Sequence, residues 1–295
     1  MSGTASALAA GYRAALTGAG ARLAAVLAIA LVATGGLAAH RYLTLKQELT
    51  DSALARRGAI SALAATTLTE KFERLVDVGI SLATRVRFQE LVGAGRWSEA
   101  AHILQRVPGD FEIVERLFIA DPAGILRADV PELPGVIGVD FSHRDWFKGV
   151  SKEWKPYISP VYRRAAAPVR NVIAVSVPIR DATRKVVGIL VLQVDLERFF
   201  EWAQRIDLGP EGRVLVLDGN WHPGFDSNRK ASDSAREPAT DPLMRQLATR
   251  PPGTQVLHDG PDGSEMVLGF APATYGWSIA TLQPSGVTFF ARDTL

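Results

Sequence analysis

The sequence predicts an α+β protein in which an N-terminal transmembrane helix and a long stalk helix precede two antiparallel-sheet domains in tandem. Three observations predict this class. A charge-free apolar segment lies near the N-terminus, a stretch almost without Gly and Pro follows it, and beyond Pro108 short apolar runs alternate with turn residues. Because a strand pair, a helix and further strands then occur in a partly repeated order, we expect two sheets of similar build.

Composition excludes several classes of function. The chain has 295 residues, 47% hydrophobic and 22% charged, which suits about two folded domains. A formal charge of +2, from 33 basic and 31 acidic residues without a long basic run, argues against a nucleic-acid partner. Because cysteine is absent from the sequence, disulfides, thiolate metal sites and thiol nucleophiles are excluded.

Residues 23–39, LAAVLAIALVATGGLAA, carry no charge and predict the transmembrane helix. Their length is at the short end of what crosses a bilayer core of about 30 Å. We expect an uncleaved anchor in the inner membrane, with residues 1–22 in the cytoplasm and the two sheet domains in the periplasm or extracellular space. A cleaved signal peptide with its site near Gly36–Ala38 and a buried helix of a soluble protein are the alternatives.

The stalk prediction covers residues 40–106. Between His40 and Val86 there is no Pro and only two Gly, which favours one long helix. Its last part has an apolar face with helical spacing, formed by Phe72, Leu75, Val76, Gly79, Leu82, Ala83 and Val86. This stripe either pairs with a second copy in a homodimer or packs on the chain's own first sheet domain, and the sequence leaves both open. A second short helix is expected at Trp97–Gln105.

The first sheet is predicted within residues 107–206. Its strands are expected in Arg116–Val130 (a strand pair), Pro156–Tyr162, Asn171–Ile179 and Val186–Val194, with a hairpin turn at Asp181–Lys185. Ser142 is the expected N-cap of a helix that carries Arg144, Trp146 and Phe147. Leu196–Gln204 is again expected to be helical.

The second sheet is predicted within residues 207–284. Its strands are expected at Arg213–Leu217, Gly253–His258, Glu265–Ala271 and Trp277–Leu282, with Asp241 capping a helix that ends near Thr249. A turn at residues 260–263 joins two of these strands. Residues 285–295 would lead toward an absent second transmembrane helix, so we expect the sequence to be a truncated piece of a larger protein. A protein that acts through a partner, and a periplasmic binder tethered to the membrane, are the alternatives.

Two segments carry a family resemblance. FSHRDWFKGVSKEWKPYISPVY (residues 141–162) and NVIAVSVPIRDATRKVVGILVLQVDLERF (residues 171–199) resemble the membrane-distal half of double Cache domains, the PAS-like extracytoplasmic modules of bacterial receptors. The resemblance covers roughly residues 42 to 284. It implies a membrane-distal domain at 107–206 that binds a small molecule, a membrane-proximal domain at 207–284, and an output module outside this chain, a histidine kinase, diguanylate cyclase or chemotaxis module.

The resemblance also implies a ligand site, formed by Arg144, Trp146, Phe147, Tyr157, Ser159 and Asp195. An arginine offers a planar fork to a carboxylate, an aspartate accepts from an ammonium group, and the aromatic rings provide walls. Phe147, Ser159 and Val139 stand where amino-acid binders have a tyrosine, an aspartate and another tyrosine. We therefore expect a small polar metabolite, a carboxylate or an amino-acid-like compound, with weakened recognition of an α-amino group.

Structural roles compete with this site. Arg144 would instead belong to a helix cap or a surface ion pair, Trp146 and Phe147 to the core, and Asp195 to the N-cap of the helix that follows it.

Catalytic and metal sites are not predicted, and no cofactor is expected. The sequence has no phosphate-binding glycine loop or nucleophile elbow, and Ser227–Lys230 spells S-x-x-K without its companion motifs. Asp218, Asn220, Asp226 and Asp233 share a loop that suits a solvated turn better than a cation site. A membrane-tethered interaction module that signals through a partner protein, without a ligand, is the alternative function, and an enzyme is the formal third.

Overall fold

The computed structural model describes residues 3–164, 169–228, 242–258, 260 and 263–290, with the backbone alone for residues 3–25 and 28. The predictions that involve Lys230, Asp233, Asp241, residues 261 and 262 of the predicted turn, and residues 291–295 lie outside the described residues. The chain divides into two compact units, Met1–Ala53 with Phe289–Leu295, and Leu54–Thr288.

The first unit contains the start of helix α1 (Gly3–Ala83). Its described apolar side chains are largely exposed, at 61–74% for Val26, Leu27, Ile29, Leu31 and Val32. Among the helices whose side chains are described, none has an apolar stretch long enough to cross a membrane. The transmembrane helix predicted at residues 23–39 is therefore not shown, and residues 23–25 and 28 of that segment lie outside the described side chains.

In the second unit, α1 is an amphipathic helix packed on the core. The side chains of Phe72, Leu75, Val76, Leu82 and Ala83 are all buried in the main hydrophobic cluster. The helix lies close to the first sheet at Gly79, where an added Cβ would lie 2.7 Å from Val177. The predicted apolar stripe thus packs on the chain's own domain, except for Val86, which is 71% exposed.

Three shorter helices follow, α2 (Val86–Gly93), α3 (Trp97–Leu104) and α4 (Val107–Asp110). The predicted short helix at Trp97–Gln105 corresponds to α3.

The first sheet has the strand order β2-β1-β6-β5-β3, with β4 also paired to β5, and all its pairs are antiparallel. The strands are β1 (Val114–Ala120), β2 (Leu126–Val130), β3 (Tyr157–Ile158), β4 (Tyr162–Arg163), β5 (Asn171–Arg180) and β6 (Val186–Asp195). Helix α5 (Asp145–Glu153) lies between β2 and β3 in the chain. β5 and β6 form the predicted hairpin, closed by the Asp181 amide, which donates to the Lys185 carbonyl at 3.0 Å.

Alternate residues of these strands face two hydrophobic clusters. Leu190, Leu192 and Val194 of β6 join the α1 side, whereas Ile189 and Val191 join the α5 side. Because side chains alternate across a strand and both faces are covered, the central strands are apolar on both faces.

The second sheet has the order β8-β7-β11-β10-β9. Its strands are β7 (Arg213–Leu217), β8 (Pro223–Asp226), β9 (Gly253–Leu257), β10 (Met266–Pro272) and β11 (Ser278–Pro284). Helix α7 (Pro242–Ala248) buries Leu243, Met244 and Leu247 in this sheet's own cluster, and α8 (Ser285–Thr288) follows β11.

Six aromatic side chains form a cluster of contacting rings: Phe72, Phe199, Phe200, Phe225, Tyr275 and Trp277. α6 (Leu196–Phe200) and a 3-10 turn (Glu201–Arg205) lead from β6 toward the second sheet and contribute two of these rings. The ring centroids of Phe72 and Phe199 lie 5.3 Å apart, and those of Phe72 and Trp277 5.2 Å apart. The aromatic cluster therefore joins α1, α6 and the second sheet in one core.

A polar contact also joins the two sheets. The Asp218 carboxylate accepts hydrogen bonds from the backbone amide of Val161 and from those of Asn220 and His222, all at 2.8 Å. Val161 lies between β3 and β4 of the first sheet, whereas Asp218 follows β7 of the second. Burial raises the pKa of Asp218.

The predicted fold class, α+β with a long N-terminal helix and antiparallel sheets, is confirmed. Three local predictions are wrong. The N-cap of α5 is Arg144 and not Ser142, whose amide instead donates to Asp140 at 2.7 Å. The strand predicted at Pro156–Tyr162 is divided into β3 and β4 around Pro160, which has no N–H to donate to a ladder. β8 lies in a segment predicted as a loop.

Candidate functional site

A cavity of about 70 Å³ lies on the α5 side of the first sheet. Its polar lining comes from Arg116, Asp129, Arg144, Tyr162, Arg164 and Gln193, and its aromatic lining from Phe118, Phe141 and Trp146. Pockets for drug-sized ligands measure roughly 300–1,000 Å³, so this cavity suits a compact ligand.

The start of α5 brings Arg144 and Trp146 to the cavity. Arg144 is the N-cap residue and has an extended backbone, at φ −77° and ψ 149°. Trp146 is buried, and its ring contacts that of Phe118 with 5.3 Å between centroids. The hydroxyl of Ser176 in β5 donates to the Trp146 carbonyl at 3.1 Å, which fixes this end of the helix to the sheet.

The other end of α5 is fixed from the same strand. Arg180 Nη2 donates to the carbonyl of Trp154, the C-cap residue, at 2.9 Å. Because both ends are held by β5, the position of Arg144 is set by the sheet and not by a mobile loop.

Tyr162 and Gln193 form a hydrogen-bonded pair on the cavity wall. Gln193 Nε2 donates to the Tyr162 hydroxyl oxygen at 2.9 Å, and the Arg144 guanidinium lies 5.9 Å from the centre of the tyrosine ring, in cation–π geometry. Burial raises the pKa of Tyr162 to about 12, so the phenol stays protonated at neutral pH. Its proton is available to a ligand.

Two of the three cavity arginines have carboxylate partners. Arg116 and Asp129 form a buried ion pair across β1 and β2, and burial raises the pKa of Asp129. Arg164 Nη1 lies 2.8 Å from a Glu115 carboxylate oxygen. Within the part of the chain that the structure describes, Arg144 makes no ion pair with a carboxylate. Arg144 is thus the cation that an anionic ligand would meet.

The six sequence-predicted site residues are only partly brought together. Arg144 and Trp146 line the same cavity. The ring of Phe147 contacts that of Trp146, with 6.0 Å between centroids, and lies beside Gly124. Tyr157 is half-buried, and its ring covers Gly149 of α5, where an added Cβ would lie 2.2 Å away. Among the described lining residues of the cavity, neither Phe147 nor Tyr157 occurs.

The polar groups of Ser159 and Asp195 are occupied within the protein. The Ser159 hydroxyl, fully buried, accepts from the Ala174 amide at 2.9 Å and donates to the Pro160 carbonyl at 2.8 Å. Asp195 caps α6 by accepting from the amides of Glu197 and Arg198, and it pairs with Arg170 at 3.2 Å. Their ligand role stays a prediction, and both have structural roles here.

Sequence reasoning missed most of the polar lining. Arg116, Asp129 and Gln193 are polar residues on strands whose other residues are mostly apolar and buried, β1 (VERLFIA), β2 (LRADV) and β6 (VVGILVLQVD). A polar residue on a buried strand needs a polar partner, and this signal was available in the sequence.

Comparisons with known proteins agree with this architecture. The ligand-binding domain of the Pseudomonas fluorescens chemoreceptor CtaA, solved in complex with L-isoleucine, matches with a TM-score of 0.64 at 12% identity, covering 84% of this chain and 99% of that one. The sensory domain of the Campylobacter jejuni chemoreceptor Tlp3, with isoleucine bound, matches with a TM-score of 0.61 at 12% identity, covering 82% and 97%.

A longer protein shares the fold as well. An extracellular ligand binding receptor from Desulfohalobium retbaense has a TM-score of 0.54 at 15% identity, covering 73% of this chain. This chain spans 39% of that receptor's length. No curated protein matches the sequence.

The family model of double Cache type, described as a Cache domain, matches residues 45–289, which include both sheets and the packed part of α1. The chain therefore belongs to the double Cache family.

Proposed function

We propose that the chain is the extracytoplasmic small-molecule-sensing part of a membrane-bound signal-transduction receptor. The observation that carries this proposal is the cavity of the first sheet, where the guanidinium of Arg144 lies among aromatic rings without a carboxylate partner among the described residues. The amino acids named with the two chemoreceptor structures support a small polar ligand.

The proposed organisation has the membrane-distal domain at residues 107–206 and the membrane-proximal domain at 207–284. Residues 23–39 are the proposed anchor, residues 1–22 the cytoplasmic start, and 285–295 the segment toward a second span. We further propose a homodimer through the stalk helix and a histidine kinase or diguanylate cyclase as output, outside this chain. The exposed Leu63 of α1, at 68%, supports a helix face open to a second copy.

In the proposed site, Arg144 binds an anionic group of the ligand and Trp146 with Phe118 forms the apolar wall. A planar guanidinium binds a carboxylate with two parallel hydrogen bonds, which sets the ligand's orientation as well as its affinity. Binding would shift the balance between two packings of the first sheet and α1 by the ligand's differential affinity for them.

A thermal-shift screen of the purified full chain against a metabolite library tests this function. A ligand that binds the native state at 100 times its Kd stabilises it by about 2.7 kcal/mol, which raises Tm by several degrees and scales with concentration. We expect such a shift for small anionic metabolites and its loss in Arg144→Gln.

The matched control is Arg87→Gln, which removes an exposed arginine paired with Glu90 and should keep the shift. If no metabolite of the library shifts Tm, the interaction-module alternative replaces the sensor proposal.

A further inference from the structure

From the charges and hydrogen-bond groups of the cavity we infer its ligand class: a small monocarboxylate whose second polar group is an uncharged donor, as in a 2-hydroxy acid. This inference rests on the proposed function, because it assigns a ligand class to the same cavity. It distinguishes such an acid from an α-amino acid, which adds an ammonium group, and from a dicarboxylic acid, which adds a second carboxylate.

The charged groups of the described cavity leave one positive charge unneutralised. Asp129 neutralises Arg116. Glu115 pairs with Arg164 at 2.8 Å and with Arg170 at 3.6 Å, and Asp195 pairs with Arg170 at 3.2 Å, so these four charges cancel. The described site therefore carries one net positive charge, that of Arg144. A monoanion brings the site to neutrality. A zwitterion leaves the net charge at one positive, and a dianion leaves one negative charge unpaired, and an unpaired charge in a partly buried site is costly.

Among the described lining residues of the cavity, no carboxylate is free to bind a ligand ammonium group. Asp129 is held by Arg116, whose Nη2 also donates to the Pro131 carbonyl at 2.5 Å. Asp195, the residue from which the sequence predicts ammonium binding, caps α6 and pairs with Arg170. If a ligand ammonium group bound either carboxylate, the guanidinium of Arg116 or of Arg170 would lose its ion-pair partner.

The cavity wall also offers neutral hydrogen-bonding groups. The Tyr162 phenol remains a donor, and the carbonyl oxygen of Gln193 remains an acceptor because its amide nitrogen donates to Tyr162. A ligand hydroxyl matches these two groups, since it both donates and accepts without carrying charge. The pair therefore complements a hydroxy acid, while Arg144 takes the carboxylate.

Calorimetric titration of the full chain with three four-carbon acids tests the inference: 2-hydroxybutanoate, 2-aminobutanoate and butanedioate. We expect 2-hydroxybutanoate to bind at least about tenfold more tightly than the other two, a difference in binding free energy of about 1.4 kcal/mol. Arg144→Gln should weaken its binding by about 10- to 100-fold, and Arg87→Gln should leave it unchanged.

A single isosteric change should reverse the preference. Gln193→Glu places a carboxylate where the amide lies and can still bond to the Tyr162 hydroxyl, so we expect tighter 2-aminobutanoate binding and weaker 2-hydroxybutanoate binding. Gln204→Glu, at an exposed position, is the matched control and should change neither.

Tighter binding of 2-aminobutanoate or of butanedioate by the unaltered chain would overturn the ligand class and leave the sensing function standing. Absence of binding by all three acids would also overturn it, whereas the sensing function itself falls only when the whole metabolite library fails to shift Tm. An unchanged preference in a folded Gln193→Glu variant would show that this wall does not select the ligand.

Discussion

Ser159 fixes the start of the segment that leads to Tyr162, a residue of the cavity wall. Its hydroxyl accepts the hydrogen bond of the Ala174 amide, while its own amide donates to the Ala174 carbonyl at 2.9 Å. The neighbouring residues Pro160 and Val161 then lead to Tyr162. Ser159, which the sequence predicts to contact ligand, therefore stabilises the backbone three residues before Tyr162, whose side chain lines the cavity.

Replacing Ser159 by alanine should separate the two roles. Because the buried Ala174 amide would lose its acceptor, we expect the free energy of unfolding to fall by about 1–3 kcal/mol. Urea denaturation measures this change, with the exposed Ser98→Ala as the matched control.

The affinity of Ser159→Ala for a ligand found in the screen should stay within about threefold, a change of under 1 kcal/mol. If Ser159→Ala keeps its stability but binds ligand much more weakly, Ser159 contacts the ligand and its structural role is contradicted.

Arg144 and Trp146 line one cavity because both lie within three residues at the start of one helix, and their ligand role stays a prediction. The partners Arg116, Asp129 and Gln193 come from three different strands, and their meeting depends on β6 lying beside β1 in the sheet order. Short motifs contain no information about such non-local pairing, so the polar half of the site could not be assembled from local patterns.

At the scale of elements, α1 contributes a row of buried side chains to a core shared by both sheets. Phe72 is fully buried and contacts three rings of the aromatic cluster, those of Phe199, Tyr275 and Trp277. The helix is therefore not a passive spacer in the second unit.

Phe72→Ala should reduce the free energy of unfolding by about 3–5 kcal/mol, because it removes a large side chain from a packed interior and leaves a cavity. Leu63→Ala on the exposed face of the same helix should change it by less than about 0.5 kcal/mol. Guanidinium denaturation of both variants checks this difference. Equal effects would mean that α1 does not pack as described.

The sequence predicts strands correctly where the hydrophobic period and the length of the apolar runs are clear. It fails where residues typical of turns occur within strands. The hairpin of β5 and β6 was found because two long apolar runs flank one polar turn. The strand β8 has the sequence Pro-Gly-Phe-Asp, which predicts a loop because Pro and Gly are typical of turns. It lies at the edge of its sheet, where a proline is tolerated.

At the scale of the whole second unit, the Asp218 carboxylate is the polar link between the sheets. Burial holds the pKa of Asp218 above its usual value of about 3.9, despite the three amides that favour its charged form. The folded state therefore binds this proton more tightly than the unfolded state does. The stabilisation from Asp218 is complete below the unfolded pKa and is lost as pH rises through the folded pKa.

Relative to Asp218→Asn, the unaltered chain should thus lose stability as pH rises above about 4. Denaturant titrations of both proteins between about pH 4 and 6 measure the difference. Asp181→Asn is the control with the opposite trend, because the Thr183 hydroxyl lowers the pKa of Asp181. A difference that is constant with pH would contradict the buried character of Asp218.

The Val161 amide proton, which points at that carboxylate from the neighbouring sheet, also makes a spectroscopic reporter. Its chemical shift should follow the titration of Asp218. Its exchange with solvent should become faster when the hydrogen bond to Asp218 breaks and the two sheets separate. Since Tyr162 is the next residue, ligand entering the cavity should perturb the same resonance, so a single isotopic label would record occupancy and the spacing of the sheets together.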